Sequence, residues 1–227
     1  MTTATPNHFK NVFSKILSFG FLLESDPKLP SVCTLITGAP LRGSWWSHPL
    51  AQTIFQVNEK LEDHPDVLIT KLVSGKVTFV HRDLWPEILA IGTAHEPWQM
   101  KGLPASARAL LKTVEKCGVL RTDQMGQPTS PDKVKNRSGE AARELERKLL
   151  IHAEQIHTES GAHAKVLETW DHWSKRTGFA EPAIQADQAK RNLEERLRKL
   201  NNEFGATARL PWSSVAGRQR AGASPPS

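Results

Sequence analysis

The chain has 227 residues, 25.3 kDa, a formal net charge of +6 and an isoelectric point near 9.4, enough to bury a core in two small subdomains and basic enough to favour a polyanion partner through counterion release. The longest apolar stretch, Phe9 to Leu23, is broken by Lys10, Asn11, Ser14, Lys15 and Ser18, so it is too short and too polar to span a bilayer. No small-residue cleavage pattern follows it, so a cytoplasmic protein without membrane contact is expected.

Cys33 and Cys117 lie far apart and match no CxxC or zinc-ribbon spacing, which predicts two reduced thiols rather than a disulfide or a metal site. In chain order, Phe9, Val12, Phe13, Ile16 and Leu23 recur near a helical period and predict a core-packing first helix that closes at Ser25-Asp26-Pro27. Pro30 opens a short helix, Ser31 to Thr37, ended by Gly38.

The segment LRGSWWSHP follows, with Arg42, Trp45, Trp46 and His48, all candidate DNA-binding residues, in nine residues. Pro49 suits the first turn of a helix from Leu50 to Leu61, with Ser47 as its N-cap. That helix falls where a recognition helix would lie, although its outer Gln52, Gln56, Glu59 and Lys60 carry little positive charge. The tryptophan pair reads as a core or interdomain plug ahead of a base-stacking platform, because buried aromatics act mainly through apolar area.

Val67–Leu72 and Lys76–His81 flank Ser74-Gly75, the residue types that reverse a backbone at low steric cost, and predict a β-hairpin bearing Lys71 and Lys76. Asp83 then caps a helix from Leu84 to Thr93, and His95 to Gly102 forms a linker. Leu103, Ala107, Leu110, Leu111 and Val114 mark a helix ended by Gly118, and Val119 to Asp123 reads as the tight entry into the second helix of a helix-turn-helix. Gln127 to Gly139 is Pro- and Ser-containing and reads as a loop. Glu140 to Ile151 resumes a helix with Arg143, Arg147 and Lys148 toward one side and a Glu144–Lys148 pair at favourable spacing.

A second hairpin, Glu154–Thr158 and Ala162–Glu168 around Ser160-Gly161, carries Lys165, and each hairpin leads within a few residues to a tryptophan, Trp85 or Trp170. Leu193, Leu197, Leu200 and Phe204 then form a stripe on a helix stopping at Gly205, suited to docking on the body or to pairing with a second copy. From Ser213 the small, polar tail is expected to be disordered.

A helix followed by a hairpin and a short return is the back half of a winged helix. The expected class is therefore α+β, mainly helical: two tandem winged-helix units, each with a hairpin wing, plus a C-terminal helix. The boundaries are 1–94 for the first unit, 95–102 for the linker, 103–178 for the second unit, 179–212 for the C-terminal helix and anchor, and 213–227 for the tail. His157, Glu159 and His163 are the candidate catalytic residues. A three-residue turn sets the two histidines opposite each other, and a two-residue turn sets Thr158 opposite His163 instead. Glu159 near the turn suits a base toward water. No third metal ligand is identifiable, so neither metal nor cofactor is expected.

At GSWWSHP, SGKVTFVHRDLW and ELERKLLIHAEQIHTESGAHAKVLETW the chain resembles a group of uncharacterised bacterial tandem winged-helix proteins, over about residues 35 to 212. In layout it is more distantly similar to the crosslink-repair DNA glycosylases built from winged helices. That resemblance implies DNA binding with hairpin insertion and a Gln-x-Gln motif that positions water; here Gln52 and Gln56 are four apart and Gln185 and Gln188 three apart, so no catalytic residue transfers. The leading expectation is a protein that binds duplex DNA without catalysis, its phosphate contacts made by Lys71, Lys76 and Lys165 on the wings and Arg143, Arg147 and Lys148 on the second recognition helix. The first alternative is a glycosylase-like repair hydrolase in which Trp45 or Trp46 stacks on a damaged base and Glu159 or a histidine activates water. The second is a protein-interaction module built on winged helices.

Overall fold

A computed structural model describes residues 4–41, 43–124, 131–157, 163–179 and 184–213, with the backbone alone at 4–6, 131–138, 157 and 163. The described residues are mixed α and β, mostly helical, with two three-stranded antiparallel sheets. They divide into two compact units, Met1–Trp85 with Lys190–Leu210, and Pro86–Ala189 with Pro211–Ser227.

In the first unit, helix α1 (Ala4–Phe19) buries Val12 and Ile16 and stops earlier than its apolar spacing predicts. Gly20 takes φ 81°, a conformation open to glycine, and a Cβ there would lie 2.7 Å from the Leu84 side chain. Beyond it Phe21–Leu23 is not the helix's last turn but strand β1, all three residues buried. Three apolar residues in a row suit a strand covered on both faces, and a helical period cannot tell them from a helix end. Helix α2 (Val32–Thr37) follows, with the Ser31 hydroxyl accepting from the Thr34 N–H and Gly38 closing it at φ 78°.

A 3-10 turn, Trp45–Ser47, precedes helix α3 (Ala51–Glu62). The cap differs from expectation: Ser47 does not cap α3, Pro49 lies outside it, and the His48 Nδ1 accepts the Leu50 N–H at 3.1 Å. Strands β2 (Val67–Thr70) and β3 (Thr78–His81) pair as the predicted hairpin, and β1 adds to the far side of β3, giving the order β1-β3-β2. Ser74 and Gly75 both have positive φ, and the Lys76 N–H reaches the Val73 carbonyl at 3.0 Å, the backbone of a two-residue reversal. The hairpin tip is tied down, since the Ser74 N–H donates to the Arg209 carbonyl at 2.7 Å and the Arg209 N–H to the Ser74 hydroxyl at 3.2 Å. Of the two uses open to the C-terminal stripe, docking is found: Leu193, Leu197 and Leu200 of helix α9 (Ala186–Phe204) are buried, and Phe204 meets Phe19 edge-on at 6.2 Å.

Helix α4 (Trp85–Gly92) leads into the second unit after a 3-10 turn, Arg82–Leu84, in which His81 rather than Asp83 supplies the cap. The expected linker contains a short helix, α5 (Pro97–Met100), closed by a reciprocal pair of bonds between Glu96 and Gln99. Helix α6 (Ala105–Cys117) buries Ala107, Leu110, Leu111 and Val114 as its spacing predicts and ends at Gly118, φ 75°. Val119–Arg121 is then strand β4, not the entry to a helix. Helix α7 (Pro131–Arg147) likewise replaces most of the predicted loop, because a proline is tolerated at the first helical position, where no N–H is needed.

Strands β5 (His152–His157) and β6 (His163–Glu168) form the second hairpin, and β4 pairs with the outer side of β6, giving β4-β6-β5. His157 pairs with His163, the register of the longer turn; the turn itself, 158–162, lies outside the described residues. Helix α8 (Trp170–Thr177) is capped by Thr169, and the Trp170 indole donates to the carbonyl of Leu149, two residues past α7, at 2.8 Å. Each unit therefore runs helix, positive-φ glycine, strand and then hairpin, with two helices, α2 and α3, between strand and hairpin in the first unit and α7 there in the second, and with the same sheet order.

Candidate functional site

An open cleft of about 510 Å³ in the first unit is lined by Glu24, Asp26, Leu41, Gly43, Lys71 and Lys76 among others. Glu24 sits one residue past β1, and its main chain is pinned on both sides: its N–H donates to the Val77 carbonyl and its carbonyl accepts from the Cys33 N–H, each at 3.0 Å. The backbone of this cleft-lining residue is thus fixed, and its side chain accepts from Asn58.

The two carboxylates there face opposite demands. Asp26 accepts the Lys76 ammonium at 2.7 Å and the N–H groups of Lys28 and Leu29 at 2.9 and 2.8 Å. Burial would raise its pKa, but these bonds outweigh it and hold Asp26 below the ordinary aspartate value. Glu24 has weaker support: a 3.3 Å bond from the Asn58 amide, and the nearby Trp45 indole, whose influence favours the ionised form. Burial pushes its carboxyl above the ordinary glutamate value, and the Trp45 indole only partly offsets this. A carboxyl shifted toward neutrality beside one held ionised is how a protein assigns proton-transfer and charge-stabilising roles to two like groups. Cys33, buried next to Glu24, is pushed up to about 11 by that burial and by the Glu24 charge, so it is no nucleophile.

The tryptophan pair divides its work. Trp45 is 8 % exposed and lies beside Glu24; Trp46 is 64 % exposed and stacks on Trp45 with ring centroids 4.0 Å apart and planes 22° apart. An open indole face therefore stands one ring away from the carboxyl. His48 is spent on the Leu50 N–H, and Arg42 lies outside the described residues.

The other predicted residues are dispersed. Lys76 is paired with Asp26, and Lys165 donates to Glu146 at 2.6 Å. Lys148 does not turn to Glu144 but donates to the carbonyls of Trp98 and Lys101. Arg143 and Arg147 are exposed on α7. His157 and His163 are paired through their backbones, and Glu159 falls outside the described residues. Among the described residues no cluster of three His, Cys, Asp or Glu could hold a metal ion, and no helix is long and apolar enough to cross a membrane.

Sequence reasoning missed a second carboxyl centre. Glu168, 1 % exposed at the end of β6, accepts from His152 at 3.1 Å, from His172 at 2.8 Å and from Arg176 at 3.2 and 2.6 Å. Burial alone would raise its pKa, yet the bonds from His152, Arg176 and His172 overcome that and hold it at about 2. The spacing Glu168, His172, Arg176 was a visible signal, but it begins on a strand and continues on a helix.

The family model described as AlkZ related matches residues 6–208, nearly the whole chain. No curated protein and no solved structure matches it.

Proposed function

The chain belongs to the AlkZ-related family, and on that premise we propose that it is a DNA-repair hydrolase that releases a damaged base in the cleft of its first unit. The family's namesake is a DNA crosslink-repair glycosylase. The observation that carries the proposal is Glu24: a carboxyl raised by burial, its backbone pinned, opening on a cleft beside a stacked indole pair.

In this reading a displaced base stacks on the open face of Trp46, as bases do on aromatic platforms. Ionised Glu24 takes a proton from water while the water oxygen bonds to C1′. The C1′–N bond breaks, its electron pair leaves with the base, and the proton passes from Glu24 to that base. Asp26, held ionised, faces the positive charge that develops on the sugar. In this reading Glu24 takes the role of base that the sequence suggested for Glu159, which lies outside the described residues.

Incubation with alkylated DNA, followed by counting of abasic sites, tests this. The native chain produces them, and Glu24→Gln lowers the rate about 100-fold or more, the usual worth of a positioned base. Equal rates in both, or no abasic sites from a native chain that binds the DNA, would remove the proposal.

A DNA-binding role without catalysis is the second reading, favoured by the first unit's order of helix, strand, two helices and hairpin, with the first strand on the outer side of the third, which is the order of a winged helix. Lys71 and Lys76 then neutralise phosphates, and replacing both by Ala lowers the slope of log affinity against log salt by roughly 0.9 for each phosphate no longer neutralised.

A further inference from the structure

Asn58 is 6 % exposed on α3, and its two amide ends are treated unequally. Its Nδ2 donates to Glu24 Oε1 at 3.3 Å, while its Oδ1 is buried without a hydrogen-bond partner. A buried acceptor left without a donor is destabilising, so such a group points to a donor that arrives in another state of the site. We infer that the donor is the proton Glu24 acquires, and that Asn58 is a positioning residue that receives it: protonated Glu24 and the Asn58 amide close a ring of two hydrogen bonds, Nδ2–H to Oε1 and Oε2–H to Oδ1.

The inference rests on the reading of Glu24 as the group that takes a proton from water, and it adds what holds that proton until the base departs. The other groups around Glu24 leave Asn58 this role. Asp26 carries three bonds of its own, the Lys76 ammonium faces Asp26, Lys71 lines the cleft but can only donate, and Cys33 holds its proton to about 11.

The test follows the asparagine side-chain carbonyl carbons and glutamate carboxyl carbons by NMR from pH 4 to pH 9, in the native chain and in Glu24→Gln. The Asn58 carbonyl signal is expected to move as pH falls, with the same midpoint as the Glu24 carboxyl, because hydrogen bonding to Oδ1 shifts that carbon. In Glu24→Gln, whose amide has no titrating proton, it stays constant. An Asn58 signal that stays fixed while Glu24 titrates overturns the inference, as does one that still moves in Glu24→Gln or a Glu24 that does not titrate in this range. The readout needs no DNA: a coupled titration without abasic sites would discard the hydrolase reading and keep the proton-sharing pair.

Discussion

Glu24 and Glu168 are the same residue type at different places in their sheets, one just past the outer strand β1 of the first and the other at the end of the central strand β6 of the second. Both are taken from water, yet their pKa values move in opposite directions. The number of donors decides it. Glu168 gathers four bonds from two histidines and an arginine, so its charge is compensated where it stands. Glu24 has the Trp45 indole and one long bond from Asn58, so burial wins. A carboxylate that is fully compensated locks a structure; one that is partly compensated is available for proton transfer.

The largest difference expected between the two glutamates is in stability. Glu168→Ala removes the shared acceptor of His152, His172 and Arg176 and is expected to cost about 3–5 kcal/mol in a denaturant titration, as breaking one side of a buried ionic network does. Glu24→Gln is expected to stay within about 1 kcal/mol of the native chain. Equal losses would erase the distinction between lock and reactive group.

The pH dependence comes next. The Glu168 value, lowered from 4.5 to about 2, contributes about 3 kcal/mol that is present above pH 4.5 and lost as pH falls toward 2. The sign for Glu24 is opposite. Its folded pKa is raised, so the folded state binds more protons than the unfolded chain just above pH 4.5, and stability declines there as pH rises. Unfolding measured against pH in Glu24→Gln should lose that decline and keep the acid limb; loss of the acid limb instead would assign the wrong glutamate to each role.

Much of the scaffold was legible because its signals are local. Ser31 and Gly38 bound α2, Gly118 ends α6, the Ser74-Gly75 reversal makes the first hairpin, and the leucine stripe of α9 is buried as its period predicts. Strands β1 and β4 were not legible. Each has three residues, too few to show a period of two; the apolar residues of β1 merge with the helix before it, and those of β4, just past Gly118, read as the entry to a second helix. Missing β1 hid the site, because Glu24 then read as the tail of a helix rather than a residue pinned between β3 and α2. Glu168 was hidden differently: its partners His152 and His172 come from another strand and from a helix, and only tertiary pairing assembles them.

Smaller effects probe the edges of the two centres. Arg176→Gln removes two of the four bonds to Glu168, but the side chain is 47 % exposed and solvent screens it, so a loss of about 1 kcal/mol is expected by thermal or denaturant unfolding. Lys76→Ala frees Asp26 at the rim of the cleft and is expected to cost less than about 1 kcal/mol, because the lysine is partly solvated. A larger loss from Lys76→Ala would make the cleft, too, a structural lock.

Both carboxyl carbons can be titrated side by side by NMR on glutamate-labelled protein, with each signal assigned by its disappearance in Glu24→Gln and Glu168→Gln. Glu24 is expected to titrate above the exposed glutamates, and Glu168 to be still ionised at pH 3. A Glu24 signal that titrates with or below the exposed glutamates would mean that the cleft holds no carboxyl poised to take a proton.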